Sequence, residues 1–492
     1  MPNKVLIVHG WSDNADSFQP LKKWLIAHGR QPTDIFLSNY ESMQDDVTFD
    51  DLAAGLQARL ETLVEAKKIK LEPFSFDVIV HSTGGPVVRH WLHYYLTEVL
   101  KGNPNANPMS QCPIQRLIML APANFGSRLA AEGKTPLAKL FKGGVSHGFE
   151  TGTLILNGLE LGSPDLWKMA HDDLFSDRAF YPCVPGNGPF VFILSGTATY
   201  GNLKGFVAHG ANEDGSDGTV RASAASLDSI KIELDFRQAQ GTLSMRRQLN
   251  QPFAFKLVAG KNHSGIVPRD ANDPSHPTFA ILTECFAIND APGYQQLGDK
   301  FAAENAAFYG HQATVATDSR VHAYQQFVMH LIDEMGNDVR DYRVDFHVID
   351  RTITVSSLDD ANLAKLQRYQ DLTERLQKNV IVDVEPHGVN PSYRTFFINI
   401  DALRELQAEI DRRNKAGGEE IYIAMNLDAI GPTANLTYNT DKLGYIRIPT
   451  NFSTNVAGRN ANFFHANTTT LVEITISRLA DDEIFKILFD TN

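Results

Sequence analysis

In Val80-His81-Ser82-Thr83-Gly84-Gly85 a serine sits among small residues, between an apolar run (76–80) and a segment with helical spacing (85–100). A nucleophile elbow needs this order. A sharp strand-to-helix turn leaves the hydroxyl exposed at the strand's carboxyl end, and small neighbours let the backbone turn without a clash. The common pattern is G-x-S-x-G, whereas here Val80 stands at the first glycine position and Gly85 follows Gly84. The bulkier Val80 is expected to tighten packing against the following helix while leaving the nucleophile in place. A serine after a strand also serves as a helix N-cap, which is the competing reading of Ser82.

A second turn, Val8-His9-Gly10-Trp11-Ser12, follows the first apolar run. In acyl transfer the tetrahedral intermediate carries a negative oxygen, and each fixed N–H donor aimed at it is worth roughly 3 to 4 kcal/mol. The backbone amides of Trp11 and Thr83 are the expected donors, with His9 supporting the loop. An ordinary glycine turn, with Trp11 merely packing, is the alternative. The acid and base are expected in the chain order Ser, Asp or Glu, His. Asp217, in Asp217-Gly218-Thr219-Val220, and His263, in Gly260-Lys261-Asn262-His263-Ser264-Gly265, satisfy that order. In this reading Ser82 attacks a carbonyl, His263 takes its proton and later protonates the leaving alcohol, and Asp217 fixes the imidazole tautomer. Asp214 is the rival acid, in a turn that could equally be a solvated acidic loop or a weak calcium loop. His209 and His276 are the rival bases.

The segments that must hold these residues alternate between two periodicities. Apolar runs at 4–8, 76–80, 116–120, 190–195 and 254–258 read as buried strands, and 18–28, 51–66 and 85–100 repeat apolar residues at helical spacing. Such a βαβ succession predicts a parallel sheet covered by helices. From about 128 to 188 the pattern breaks into glycine-rich turns and short amphipathic pieces, including Leu137–Phe141, Leu154-Ile155-Leu156, Leu159, Leu161, Trp167 and Met169. An insertion of this length suggests a lid or cap. The same residues at helical spacing also fit ordinary core. Beyond about 310 come β-rich runs, 324–333, 342–350, 396–400, 421–426, 445–448 and 469–478, with charged helices at 358–378 and 401–415.

Together the His9-Gly10-Trp11 turn, the elbow and Leu120-Ala121-Pro122-Ala123-Asn124-Phe125-Gly126-Ser127 resemble the lipase-like branch of the α/β-hydrolases. That branch includes bacterial lipases, phospholipases and proteins similar to GPI inositol-deacylase. The resemblance covers roughly residues 1 to 290. It implies an α/β-hydrolase parallel-sheet core and a serine esterase acting on acyl lipids, of lipase or phospholipase A type, with no cofactor and no metal. The expected organisation is a catalytic domain over 1–300 with its lid at about 128–188, a linker over 301–320, and a β-rich, sandwich-like accessory domain over 321–492. Two rival functions stand beside it: an acyltransferase on the same triad, in which an alcohol replaces water, and a noncatalytic lipid-binding or interaction protein.

Composition narrows the partners. The 492 residues are 43% hydrophobic and 21% charged, as in globular proteins, and 45 Lys and Arg against 58 Asp and Glu give a net charge of −13. That balance argues against nucleic acid, whose binding takes clustered cations. Transient contact with a lipid surface is expected to rest on apolar area, because overall attraction to anionic lipid is absent. Cys112, Cys183 and Cys285 are too scattered for a disulfide framework or thiolate zinc site. The first residues lack a signal-peptide pattern, so the expected location is the cytoplasm, or outside it by a route that reads no such signal. The acyl position, chain length and oligomeric state have no signature in the sequence.

Overall fold

Strands whose two faces are both covered by helices must be apolar throughout, and this is how the amino-terminal strands read. The computed structural model of the chain describes residues 3–11, 14–40, 44–102, 105–131, 152–177, 180–181, 189–200, 212–237, 242–247, 253–314, 320–352, 360–417, 420–440, 443–448, 454–456, 459–461 and 463–484. The chain folds as two units. The first comprises Met1–Ser229, Arg247–His322 and Asn467–Thr469, and the second Ile230–Arg246, Ala323–Ala466 and Thr470–Asn492.

In the first unit, β1 (Lys4–Val8), β2 (Ile35–Leu37), β3 (Phe76–His81), β4 (Ile114–Leu120) and β5 (Phe190–Gly196) enter one sheet. The chain then leaves for β6 (Ser229–Asp235) and β7 (Thr242–Arg247) of the second unit, and returns as β8 (Ala254–Val258). The sheet order is β2-β1-β3-β4-β5-β8, parallel throughout. β3 and β5 are buried along their whole length. Register brings Val8 beside Val80 and Val80 beside Met119. The loops leaving β1, β3, β5 and β8 therefore all start from the carboxyl edge of the sheet, where ligands of open α/β sheets bind.

The helices α1 (Gln19–Ala27), α2 (Phe49–Glu65) and α3 (Gly84–Lys101) fall where the periodicity puts them. α2 starts at a capping box, in which the Thr48 hydroxyl accepts from the Asp51 amide and the Asp51 carboxylate accepts from the Thr48 amide. In the region expected as a lid, the described residues form helices Thr153–Leu159 and Pro164–Asp173. Ile155, Leu161 and Met169 are buried core there, while Leu154 is exposed. Leu137–Phe141 lies outside the described residues, as do Ser12 and Cys183.

The segment expected as a linker over 301–320 is largely helical. The helix Ala291–Gln312 runs through its first part and buries Phe301 and Asn305. Asn305 binds both the amide of Leu257 and the carbonyl of Phe255 on β8. Only one stripe of this helix, Tyr294, Leu297, Phe301 and Asn305, is buried, and its other positions are largely small or polar, so its second half reads as a connection.

The second unit has the antiparallel style expected of it. β9 (Tyr324–Asp333), β10 (Tyr342–Asp350), β11 (Ile381–Pro386), β12 (Tyr393–Asn399), β13 (Ile421–Ala429), β14 (Leu436–Tyr438), β15 (Tyr445–Arg447), β16 (Thr454–Val456), β17 (Arg459–Ala461), β18 (Thr469–Ile476) and β19 (Arg478–Ala480) follow in order. Its two main sheets are β11-β12-β9-β18-β6-β7 and β10-β13-β15. The helix Ile400–Gly417 buries Ile400, Leu403, Leu406 and Ile410, one stripe at three- and four-residue spacing.

Candidate active site

Ser82 follows the last residue of β3 and precedes the first of α3, with φ at +53°. Side chains other than glycine rarely adopt this left-handed region, and here surrounding bonds impose it. The Ser82 amide donates to Leu120 O (3.1 Å), and Ser82 O accepts from Gly85 N (3.0 Å) and Ala123 N (3.2 Å). Two glycines make room. A Cβ on Gly84 would lie 2.6 Å from Val8 O, and one on Gly10 would lie 2.8 Å from the Ser82 Cβ. Val80, in place of the usual first glycine, is fully buried within the sheet between Val8 and Met119. Its position needs an extended strand residue, so the side chain is accommodated.

The Ser82 hydroxyl does not cap α3, whose N-cap is Thr83 without a side-chain bond. It faces His263 Nε2 at 2.9 Å. His263 Nδ1 lies 2.8 Å from Asp217 Oδ2, and the His263 amide donates to Asp217 O at 2.9 Å. Asp217 Oδ1 in turn accepts from the amides of Thr219 (3.0 Å) and Val220 (2.7 Å). A carboxylate only accepts, so Nδ1 carries the proton and Nε2 is free to accept from Ser82. Asp217 and His263 are fully buried, which strengthens each of these bonds.

Trp11 and Thr83 line a cavity of about 20 Å³ beside Ser82, together with Ala130, Leu156, Leu159 and Val220. That is room for about one oxygen-sized group. Among the described residues neither the Trp11 nor the Thr83 amide has a hydrogen-bond partner. His9 stacks on Tyr40 with ring centroids 4.3 Å apart, and His9 O accepts from the Tyr40 hydroxyl at 2.8 Å. It braces the loop.

The rivals point elsewhere. Asp214 bonds His322 Nδ1 at 2.6 Å. His276 caps the helix Pro277–Ala287, and its Nε2 lies 3.0 Å from Gly265 O. His209 lies outside the described residues. Among the described residues no group of three His, Cys, Asp or Glu is arranged to hold a metal ion.

Three supporting residues escaped the sequence reading. Glu213 pairs with Arg221 (2.7 Å) and Arg128 (3.1 Å), tying down the loop that carries Asp217. Buried Arg89 of α3 bonds Asp173 at 2.8 Å and the carbonyl of Asn124 at 2.9 Å, fixing the elbow helix to the loop after β4. His81 Nε2 lies 3.1 Å from His263 O, and the two rings are 4.8 Å apart. Only a charged residue inside an apolar helix, Arg89, left any signal of a buried partner.

The Gly10 contact gives a first expectation. In Gly10→Ala the added methyl must displace the Ser82 side chain, and a misplacement of about 1 Å costs on the order of 100-fold in rate. Ester hydrolysis by this variant should fall by that order while its circular dichroism stays unchanged; wild-type rates would show that the loop can yield.

The buried imidazoles give a second. Burial, then the neighbouring His263, holds His81 well below the ordinary histidine pKa, and burial pulls His90 down to about 4 against the opposing pull of Asp50. Each binds a proton less readily in the fold than in the unfolded chain. Their contribution is therefore complete above the ordinary value of about 6.5 and is lost progressively as pH falls below it. At pH 5 the His90 shift alone corresponds to roughly 2 kcal/mol. Thermal melting should occur at a clearly lower temperature at pH 5 than at pH 7, and an equal Tm would contradict the burial argument.

No protein-family model matches the sequence, and no curated protein matches it. Among solved structures it is similar to phospholipase PlaB from Legionella pneumophila in complex with thio-NAD, at 25% identity and a TM-score of 0.76 over 99% of this chain and 97% of that one. The chain has the fold of a lipase-like α/β-hydrolase. A second structure of the Legionella phospholipase gives the same TM-score, 0.76, at 24% identity over 100% of this chain and 97% of that one. The likeness of this lipase-like fold thus extends through the β-rich unit as well.

Proposed function

We propose that the protein hydrolyses carboxylic esters of acyl lipids, as a lipase or phospholipase A, through an acyl-enzyme on Ser82. The observation that carries this reading is the unbroken path from Ser82 Oγ through both His263 nitrogens to Asp217 Oδ2, at a strand-to-helix elbow. The likeness to a phospholipase over nearly the whole chain supports the lipid class of substrate.

Ser82 Oγ adds to the ester carbonyl carbon as its proton passes to His263 Nε2, and the carbonyl electron pair moves onto oxygen. The amides of Trp11 and Thr83, which bond no other described residue, receive that oxyanion. Collapse expels the alcohol oxygen, which takes the proton back from Nε2 and leaves an ester on Ser82. Water then repeats the sequence: His263 takes its proton, the second intermediate collapses, Ser82 regains the proton and a free fatty acid departs. Asp217 stays ionised throughout and stabilises the imidazolium. Ala130, Leu156, Leu159 and Val220 give the surface beside Ser82 an apolar share, which suits the ester of an acyl lipid.

Incubating the protein with phosphatidylcholine and with triacylglycerol, and quantifying released fatty acid, tests the reading. Release that requires Ser82 is expected, and the better substrate names the type. Equal release by a Ser82→Ala chain would overturn it.

A further inference from the structure

The base His263 is held at its backbone by two side chains that no step of the reaction uses. A side chain leaves the main chain along the Cα–Cβ bond, and the two soft torsions at that Cα set its direction through the flanking peptide planes. At His263 both planes are bonded. The peptide before it donates from the His263 amide to Asp217 O at 2.9 Å. The peptide after it is bonded at both ends: His263 O lies 3.1 Å from His81 Nε2, and the Ser264 amide donates to Tyr200 Oη at 3.3 Å. With both planes fixed, only the two torsions of the His263 side chain remain, and the bond to Asp217 sets those.

Each grip comes from an element beside the site. His81 is the last residue of β3 and the chain neighbour of Ser82, so its bond ties the nucleophile's strand directly to the base's loop. A carbonyl oxygen only accepts, so Nε2 carries the proton of the His81 ring. Among the described residues its Nδ1 has no partner, and the side chain is fully buried. Burial and the neighbouring His263 oppose a second proton, which keeps the ring a neutral donor. Tyr200 stands on the segment leaving β5, and that segment is itself laced to the loop. The amides of Thr197 and Ala198 donate to Lys261 O at 2.9 and 3.1 Å, and the Gly260 amide donates to Thr197 Oγ1 at 3.1 Å. Tyr200 Oη also lies 3.0 Å from Ser264 Oγ, a second bond to the same residue.

We infer that His81 and Tyr200 are positioning residues for the chemistry at Ser82, gripping the His263–Ser264 peptide at its two ends so that Nε2 of His263 stays in reach of the Ser82 hydroxyl. The inference rests on the roles proposed for Ser82 and His263. Neither residue is among those lining the cavity beside Ser82, so their loss bears on the chemical steps rather than on holding substrate.

The test is steady-state kinetics of the full-length chain on a short water-soluble ester, with rates taken per chain that an alkyl fluorophosphonate titrates, so that misfolded protein is not counted as slow enzyme. His81→Leu removes the donor and frees the peptide; because a misplacement of about 1 Å costs on the order of 100-fold, kcat should fall by about ten- to 100-fold with KM within about twofold. His81→Gln, whose amide N–H reaches the place of Nε2, should return kcat to within a few-fold of wild type. Tyr200→Phe removes only the hydroxyl and should lower kcat by about tenfold, again with KM held. Both losses free one peptide, so the double variant should be less impaired than the product of the single effects. A wild-type kcat in either single variant, a change confined to KM, or a loss that His81→Gln does not repair overturns the proposal. If His81→Leu fails to fold, Tyr200→Phe decides by its kcat alone. A Ser82→Ala chain measured beside them separates the two readings. If it still hydrolyses the ester, the mechanism itself fails; if it is inert while His81→Leu and Tyr200→Phe run at the wild-type rate, only the positioning roles fail.

Discussion

Replacing Ser82 with alanine should lower kcat for ester hydrolysis by about a million-fold, the scale seen when the nucleophile of a triad hydrolase is removed. Only the reacting oxygen is lost. Its bond to His263 is worth about 1 kcal/mol of stability, and alanine inherits the same backbone constraints at Leu120, Gly85 and Ala123. Substrate binding and the Trp11 and Thr83 amides remain, so a residual rate on the order of a thousand-fold over water is expected. Steady-state kinetics with a soluble ester, beside a thermal melt, measures both. A variant retaining a tenth of wild-type kcat would place the nucleophile elsewhere.

Asp217→Asn should cost about ten-thousand-fold in kcat. The geometry says why. One carboxylate oxygen already accepts from the Thr219 and Val220 amides, so the asparagine oxygen stays there and its NH2 turns to His263. That group donates, which leaves Nδ1 as the acceptor and puts the proton on Nε2. Nε2 then faces the Ser82 hydroxyl as a donor and cannot take its proton. The loop should stay folded, because Asp217 N and O keep their bonds to Val220 and His263. Raising the pH should recover part of the rate as alkali supplies the deprotonation. A pH–rate profile identical to wild type would remove Asp217 from the mechanism.

Much of this site was legible because its parts are local. The elbow, the His-Gly turn and the loops of Asp217 and His263 are each a few residues long, and each adjoins a strand whose apolar run is itself unmistakable. The chain order Ser, Asp, His expected of such an elbow joined them. What escaped depends on distance in the chain. Arg89 meets Asp173, 84 residues away, and Glu213 meets Arg128, 85 residues away. No periodicity encodes such pairs.

The excursion of β6 and β7 into the second unit was missed for another reason. Ile230-Lys231-Ile232-Glu233-Leu234 alternates as a half-buried strand should. Alternation gives the strand's faces, but not the sheet it joins. The region expected as a lid is similar: Ile155 and Met169 carry helical spacing whether they cover a site or fill a core, and both are buried while Leu156 and Leu159 of the same stretch line the cavity beside Ser82.

The most direct measurement is covalent capture of the nucleophile. The native chain is treated with an alkyl fluorophosphonate, digested, and the modified residue located by mass spectrometry. The mechanism predicts one adduct per chain, on Ser82, with hydrolysis lost in proportion and no adduct in the Asp217→Asn chain over the same interval. An adduct on another serine, or full hydrolysis by a chain already modified at Ser82, would contradict it.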